Sequence, residues 1–178
     1  MEIMVPDEFK RLYVRDDGNP IRKVPDPVLR ETAKPVDKMT KKVQMLADDM
    51  VRIMRAANGI GLAAPQVGVS LRLIVIAPTG TKPEILINPV IVSSEGECVI
   101  EEGCLSIPGL YGDVIRPEKV VVEAYDRKGR PSTYEMEGMP ARVVQHEIDH
   151  LDGVLFVDKA DPATLYWSDP AHHVRDEA

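Results

Sequence analysis

Cysteine, aromatic residues and long apolar runs are all scarce in this chain of 178 residues. The two cysteines, Cys98 and Cys104, form no C-x-x-C pair, so no disulfide framework is expected and a reducing compartment is favoured. No stretch approaches the roughly 18 uninterrupted apolar residues of a membrane span. The first 20 residues contain several acidic side chains and no apolar core, which argues against a secretory or organellar leader. These absences predict a cytoplasmic protein that does not enter a membrane.

The charge balance further limits the class of protein. The 22 basic and 29 acidic residues give a formal net charge of -7. A DNA-binding domain usually carries a basic face, so DNA is not an expected partner. The apolar fraction of 44% is too high for a disordered chain, and the length suits one domain. We expect a globular protein that acts on a small, uncharged or modestly charged substrate.

The distribution of proline and of apolar residues divides the chain into three parts. These are an N-terminal arm (1–20), one catalytic domain (21–160) and a polar C-terminal tail (161–178) without convincing periodicity. Apolar residues at three- and four-residue steps predict one helix over 39–57 and another over 139–152. Apolar and β-branched runs predict strands at 71–77 and 84–92 and a hairpin over 119–137. The order predicts an α+β fold with mixed or antiparallel strands packed around the second helix.

The second predicted helix contains the sequence H-E-I-D-H. His146 and His150 are four residues apart, so both lie on one helix face and can reach a single metal ion. Glu147 is rotated by about 100° from His146 and can sit beside that ion without binding it. Two solvated histidines on an acidic helix would produce the same pattern.

A third metal ligand is expected, because catalytic zinc-type sites usually have three protein ligands and one open position. The histidines that follow, His172 and His173, lie in the polar tail. Upstream, Cys104 lies in the segment E-G-C-L-S, and a thiolate is a strong ligand for divalent transition metals. We therefore predict Cys104 as the third ligand, the alternative being a small buried hydrophobic residue.

A glycine- and alanine-rich segment, G-I-G-L-A-A-P-Q, occupies residues 59–66. It matches a dinucleotide-binding pattern, but a helix precedes it where a strand is required, and Pro65 disfavours a following helix. Its glycines permit close approach of the backbone to a ligand. Gln66 offers an amide donor to a developing oxyanion.

Together the three segments resemble the motifs of the peptide deformylase family, G-x-G-x-A-A-x-Q, E-G-C-L-S and Q-H-E-x-D-H, in the family's order. The resemblance extends from about residue 21 to about residue 159. It implies hydrolysis of the N-formyl group from the N-terminal formyl-methionine of nascent polypeptides, with release of formate. It also implies one divalent ion, with Fe(II) favoured and Zn, Ni or Co as other occupants, held by Cys104, His146 and His150.

The resemblance also implies roles for the surrounding residues. Glu147 would accept the proton of the attacking water and deliver it to the leaving amine. The Leu105 backbone N–H and the Gln66 side chain would donate to the oxyanion. An apolar stripe on the second helix would line the pocket of the substrate methionine, and Arg116 would contact the substrate backbone, hold its own loop or lie on the surface. The candidate substrate-binding residues are Ile60, Gly61, Arg116, Met139 and Val143.

Several expectations stay open at this point. Glu102 fits either a residue that orients a metal ligand or a turn carboxylate, and Asp149 fits the same role or the helix surface. Arg142 is expected to face solvent. The chain lacks the basic C-terminal helix of some family members, so at most a weak, transient ribosome contact is expected. A zinc endopeptidase and a non-catalytic metal- or peptide-binding module are the alternative functions.

Overall fold

The computed structural model describes residues 3–14 and 18–173. Within these residues, two α-helices are formed, α1 (Lys41–Ala56) and α2 (Met139–Leu151). The eight strands in the same part of the chain are β1 (Gly61–Ala63), β2 (Leu73–Ile76), β3 (Glu84–Glu95), β4 (Cys98–Cys104), β5 (Ile107–Arg116), β6 (Lys119–Tyr125), β7 (Pro131–Glu137) and β8 (Tyr166–Trp167). None of the described helices is long and apolar enough to cross a bilayer.

The strands form two antiparallel sheets. The larger sheet has the order β1-β2-β3-β6-β7, and the smaller has the order β4-β5-β8. Every pair of neighbouring named strands is antiparallel. The predicted α+β class with antiparallel strands is therefore confirmed, including the hairpin of β6 and β7.

Strand β2 is buried on both faces because a helix packs on each side of it. Leu73 and Val75 lie in the apolar cluster that includes α1, whereas Ile74 and Ile76 lie in the cluster that includes α2. A strand covered on both faces has no polar side to expose, which explains its continuous apolar sequence. Helix α2 is thereby held against β1, β2 and β7.

Helix α2 presents one face to the core and another to the predicted site. Val144, Ile148 and Leu151 are buried in the core against the larger sheet. The other stripe, which contains His146 and His150, faces the smaller sheet and the cleft described below. Pro140 lies in the first turn, where its missing N–H costs no helical hydrogen bond.

Two strands depart from the expectation. Strand β3 runs to Glu95, and the Asn88–Pro89 step makes a bulge inside the sheet, with Asn88 at a φ of 52°. Strand β5 is not evident from the sequence, because Pro108, Gly109 and Gly112 interrupt its pattern.

The terminal segments are more ordered than their composition suggests. The polar composition after residue 160 predicts a loose tail, but Trp167 and Tyr166 pair with Leu110 and Tyr111 of β5 as strand β8. The arm forms a 3₁₀ helix, Asp7–Tyr13, whose Phe9 is buried. The expectation for residues 174–178 of the tail, and for 1–2 and 15–17 of the arm, lies outside the described residues.

Candidate metal centre and active-site cleft

Three potential metal ligands converge where the end of β4 meets α2. Cys104 is the last residue of β4, and the chain turns at once through Leu105 and Ser106 into β5. The Sγ atom of Cys104 lies 3.3 Å from Nε2 of His150. The ligand atoms of Cys104, His146 and His150 all lie within 4.8 Å of one another. The fold thus brings the thiol of one strand to the two imidazoles of a helix that follows much later in the chain, as the sequence predicts.

The surroundings of Cys104 favour the thiolate. The Ser106 backbone N–H donates to Sγ at 3.4 Å, and Nε2 of Gln66 lies 3.6 Å from it. Burial alone would raise the pKa of the thiol, but the imidazoles of His150 and His146 hold that pKa well below its ordinary value. Since the thiolate is the form that binds metal, the site is prepared for a cation.

Glu102 orients the His146 ring. The Nδ1–H of His146 donates to Oε2 of Glu102 at 2.8 Å. Burial would raise the pKa of Glu102, but the hydrogen bonds and charges of His146 and Arg116 lower it well below its usual range. Because an ionised carboxylate only accepts, it keeps a proton on Nδ1 of His146 and leaves Nε2 as the nitrogen available to a metal.

A buried ion-pair network holds Glu102 in turn. Arg116 donates to both of its oxygens, at 2.6 and 3.0 Å, and to Asp149 at 2.8 Å. Arg142 donates to Oε1 of Glu102 at 2.7 Å and to the carbonyl oxygens of Val114 and Cys98. The network joins β4, β5 and α2 directly behind the three potential metal ligands.

This network corrects two expectations. Arg142 does not face solvent, since it is only 5% exposed. Arg116 is 2% exposed, so the surface interpretation is wrong, and its guanidinium faces Glu102 and Asp149 without lining the cleft. The structure therefore does not bring Arg116 to the predicted substrate site, and it supports the alternative in which Arg116 holds its segment in place.

We expect Arg116→Met to destabilise the fold by about 3 kcal/mol, because breaking a buried pair leaves charges unpaired. This loss of unfolding free energy is at the low end of the range for breaking a buried ion pair, because Arg142 still pairs with Glu102. Urea unfolding measures the loss. Arg127→Met, which breaks an exposed pair with Asp48, is the control and should cost clearly less. Equal losses in the two variants would contradict a structural role of the buried network.

Glu147 lies buried next to the ligands. It is 4% exposed, and its Oε2 atom has no hydrogen-bond partner among the residues that the structure describes. Burial raises the pKa of Glu147 to about 7, against the opposing charges of His146 and His150. A carboxylate with this pKa can both accept and release a proton near neutral pH.

Gly61 leaves the space that Glu147 occupies. A Cβ atom at position 61 would collide with Oε1 of Glu147 and would lie 2.8 Å from Cγ1 of Val143. Any larger residue would therefore displace the carboxylate. The sequence predicts a close approach to the backbone at Gly61. The group that makes this approach is the side chain of Glu147.

Gln66 is held rigidly beside Cys104. Its Oε1 atom accepts from the Ala63 N–H at 2.9 Å, and its Nε2 donates to Oγ of Ser106 at 3.1 Å. It is 2% exposed, yet it lines the same cleft as Leu105 and Cys104. Both predicted oxyanion donors thus lie at the thiolate end of the cleft.

A cleft of about 1040 Å³ opens over these residues. The apolar candidates Ile60, Met139 and Val143 all line it, together with Gly61, His146 and Glu147. Residues 99–104 of strand β4 line one side of the cleft. The volume and the extended shape suit a peptide rather than a small molecule alone.

The donor set fits a divalent transition metal. One thiolate and two imidazoles make a mixed sulfur and nitrogen set, which suits zinc and iron but not magnesium or calcium. The unpartnered Oε2 of Glu147 lies beside them in a cleft open to substrate. The fold and the site together define a metal-dependent hydrolase of the H-E-x-x-H type.

Comparison with known proteins narrows this class to one family. The model of the family "polypeptide deformylase" matches residues 19–165. This chain belongs to the polypeptide deformylase family. The activity of this enzyme family, and of this chain, is the hydrolytic removal of the N-formyl group from the N-terminal formyl-methionine of newly synthesised polypeptides.

Individual relatives agree with this assignment. The chain is 55% identical over 141 residues to a peptide deformylase of Halothermothrix orenii, covering 78% of this chain and 91% of that protein. The crystal structure of the peptide deformylase of Thermus thermophilus has a TM-score of 0.78 at 48% identity, over 81% of this chain and 86% of that one. A peptide deformylase of Synechococcus elongatus in complex with actinonin has a TM-score of 0.77 at 45% identity, over 80% of each chain.

The family decides between the functions that the motifs left open. The endopeptidase and the non-catalytic binding module are both set aside, because the matched family is one of deformylating enzymes. Sequence reasoning did not anticipate the contributions of Ser106 and Arg142 to the site. A signal for Arg142 was present, since it precedes His146 by four residues and so shares its helix face.

Proposed function

We propose that Cys104, His146 and His150 hold one divalent metal ion and that Fe(II) is its native form. The convergence of a thiolate and two imidazoles beside the buried Glu147 carries this proposal. Zinc, nickel and cobalt suit the same donor set and are the other candidate occupants. The bound ion supplies Lewis acidity, which polarises the formyl carbonyl and lowers the pKa of a nearby water.

Glu147 serves as the general base and then as the general acid. It accepts a proton from the attacking water, whose oxygen adds to the formyl carbon. It then delivers that proton to the methionine nitrogen as the C–N bond breaks, which yields formate and a free amino terminus. The raised pKa of Glu147, about 7, suits both transfers.

The formyl oxygen gains negative charge while the carbon is tetrahedral. The Gln66 amide and the Leu105 backbone N–H are the donors that we assign to it. Ala63 and Ser106 fix the position of the Gln66 amide beside Cys104. Removing one such donor typically costs about 2.7–4 kcal/mol of barrier stabilisation.

The methionine side chain fits the apolar part of the cleft. Ile60, Met139 and Val143 line it next to Glu147. Met139 is partly exposed, so its flexible thioether can close over a bound side chain. We assign no direct substrate contact to Arg116, whose donors are engaged by Glu102 and Asp149.

We place this activity in the cytoplasm, where nascent formylated chains emerge. The formal net charge of -7 supports only a weak, transient ribosome contact, because ribosomal RNA repels an acidic surface.

The metal assignment is tested by anaerobic purification followed by elemental analysis. We expect close to one iron per chain, and we expect deformylation of formyl-Met-Ala to decline in air as the metal or Cys104 is oxidised. Replacement of iron by nickel or zinc should remove the sensitivity to air. Stoichiometric zinc in the anaerobic protein, with activity stable in air, would contradict Fe(II) as the native metal.

A further inference from the structure

The chain beyond the family match folds back into the active-site cleft. The family model ends at residue 165, and strand β8 then pairs with β5, so that it lies at the edge of the smaller sheet opposite β4. The chain turns at Asp169, whose side chain accepts from the Ala171 N–H. We call residues 170–173, which follow this turn, the C-terminal latch. Three of its residues line the active-site cleft, namely Pro170, Ala171 and His173.

The latch crosses the smaller sheet from the β8 edge to β4. The His173 ring stacks on Tyr111 of β5, with centroids 3.7 Å apart and an angle of 9° between the planes. The Nε2 atom of His173 lies 3.0 Å from Oε1 of Glu101 on β4, which is within hydrogen-bond distance. A single side chain of the latch therefore contacts both of the strands that line the cleft.

The His173 ring is inserted into the cleft. Its side chain is only 8% exposed, whereas the adjacent His172 is exposed. The Tyr111 ring on which it stacks lies against Gly103, where a Cβ atom would be 2.7 Å from two carbon atoms of that ring. Because Gly103 directly precedes Cys104, the stack of Tyr111 and His173 stands next to the proposed metal site.

An extended substrate would meet the latch. Strand β4 is an edge strand of the smaller sheet and lines the cleft, so a peptide can add to it as a further strand. Glu101 precedes Cys104 by three residues of strand, a separation of about 10 Å. A formylated dipeptide, which spans about 7 Å, ends before Glu101 when its formyl group lies beside Cys104, whereas a tetrapeptide reaches Glu101.

The contacts that close the latch are weaker than those that anchor β8. An aromatic stack and a pair with the partly exposed Glu101 each contribute little to stability. Strand β8 has backbone pairing with β5, and its Trp167 also packs on Phe9 with ring centroids 5.2 Å apart. The latch can therefore open at the turn of Asp169 while β8 stays in place.

We propose that the C-terminal latch is an autoinhibitory contact, which covers the cleft beyond the methionine pocket and opens when a long formylated chain displaces His173. The apparent affinity for a long chain is then reduced by the fraction of molecules whose latch is open. A short chain that does not reach Glu101 binds without opening the latch. The proposal rests on the proposed function, since it assumes that the formyl group lies beside Cys104.

The kinetic test compares KM and kcat for formyl-Met-Ala and formyl-Met-Ala-Ala-Ala in the unaltered protein and in His173→Ala. We expect the variant to have a KM about 3- to 10-fold lower for the tetrapeptide, because the closed latch has lost its ring stack. Its KM for formyl-Met-Ala and its kcat for both peptides should be unchanged. The matched control is His172→Ala at the adjacent exposed histidine, which should equal the unaltered protein with both peptides.

Nuclear magnetic resonance of the zinc-loaded Glu147→Gln protein observes the latch directly. While the latch is closed, the face of the Tyr111 ring shifts the proton resonances of the His173 ring upfield. Addition of formyl-Met-Ala-Ala-Ala should remove that shift, whereas addition of formyl-Met-Ala should leave it in place.

The outcomes separate this proposal from the proposed function. A KM for the tetrapeptide that is unchanged or higher in His173→Ala would overturn the latch alone. An upfield shift of His173 that persists at saturating tetrapeptide would overturn it as well. A metal-loaded, unaltered protein that is inactive on formyl-Met-Ala would instead contradict the active-site assignment on which the latch depends.

Discussion

Glu147→Gln is expected to lower kcat for deformylation by about 10²- to 10⁴-fold while the metal remains bound, because the amide cannot accept the proton of the attacking water. Glutamine has nearly the same size as glutamate, so it fits the space that the missing side chain of Gly61 leaves. The fold and the metal ligands should therefore be unaffected. Steady-state kinetics on formyl-Met-Ala, together with metal analysis of the same sample, measures the effect.

The control for this variant is Glu123→Gln, which makes the same change at an exposed position on β6. It should show the unaltered kcat and metal content. If Glu147→Gln retained a normal rate with its metal in place, Glu147 would not be the base. If it lost its metal, the carboxylate would have to be reassigned as a ligand.

Cys104→Ser is expected to weaken metal binding by more than about 100-fold. A hydroxyl is a harder and far less acidic ligand than a thiol, so it seldom binds as the anion. Loss of a group that merely orients a ligand already costs about 10- to 100-fold in affinity, and loss of a ligand should cost more. After dialysis against a mild chelator, metal content and deformylation should both fall towards zero.

Cys98→Ser is the matched control, because Cys98 is also a half-buried free cysteine but lies at the opposite end of β4. Its metal content should equal that of the unaltered protein. Unchanged metal content in Cys104→Ser would refute the ligand role of Cys104. A loss in both variants would point to a general effect on β4.

The local part of the site could be predicted from the sequence. Helical periodicity places His146 and His150 on one face and Glu147 beside them, and α2 shows that arrangement. The proposed ligand Cys104 could be predicted only through its motif and by the lack of another donor. Its approach to α2 depends on the pairing of β4 with β5, which the interrupted pattern of β5 conceals.

The charged residues behind the site were the least predictable. Arginine and glutamate are almost always exposed unless they are paired, so a sequence pattern assigns them to the surface. Arg142 and Glu102 are buried because each satisfies the other, and their positions are 40 residues apart. No local pattern records a partner at that separation.

The amino-acid sequence by itself determined the two helices, the β6–β7 hairpin, the three motifs and, through them, the family. These features depend on side-chain periodicity and short motifs, which act over a few residues. Only the tertiary structure decided that Arg116 and Arg142 support Glu102, that Gly61 makes room for Glu147, and that Tyr166 and Trp167 pair with β5 as strand β8. Those features depend on strand pairing and charge burial between distant segments. Because these contacts form only when the chain folds, they stabilise the site without leaving a local sequence pattern.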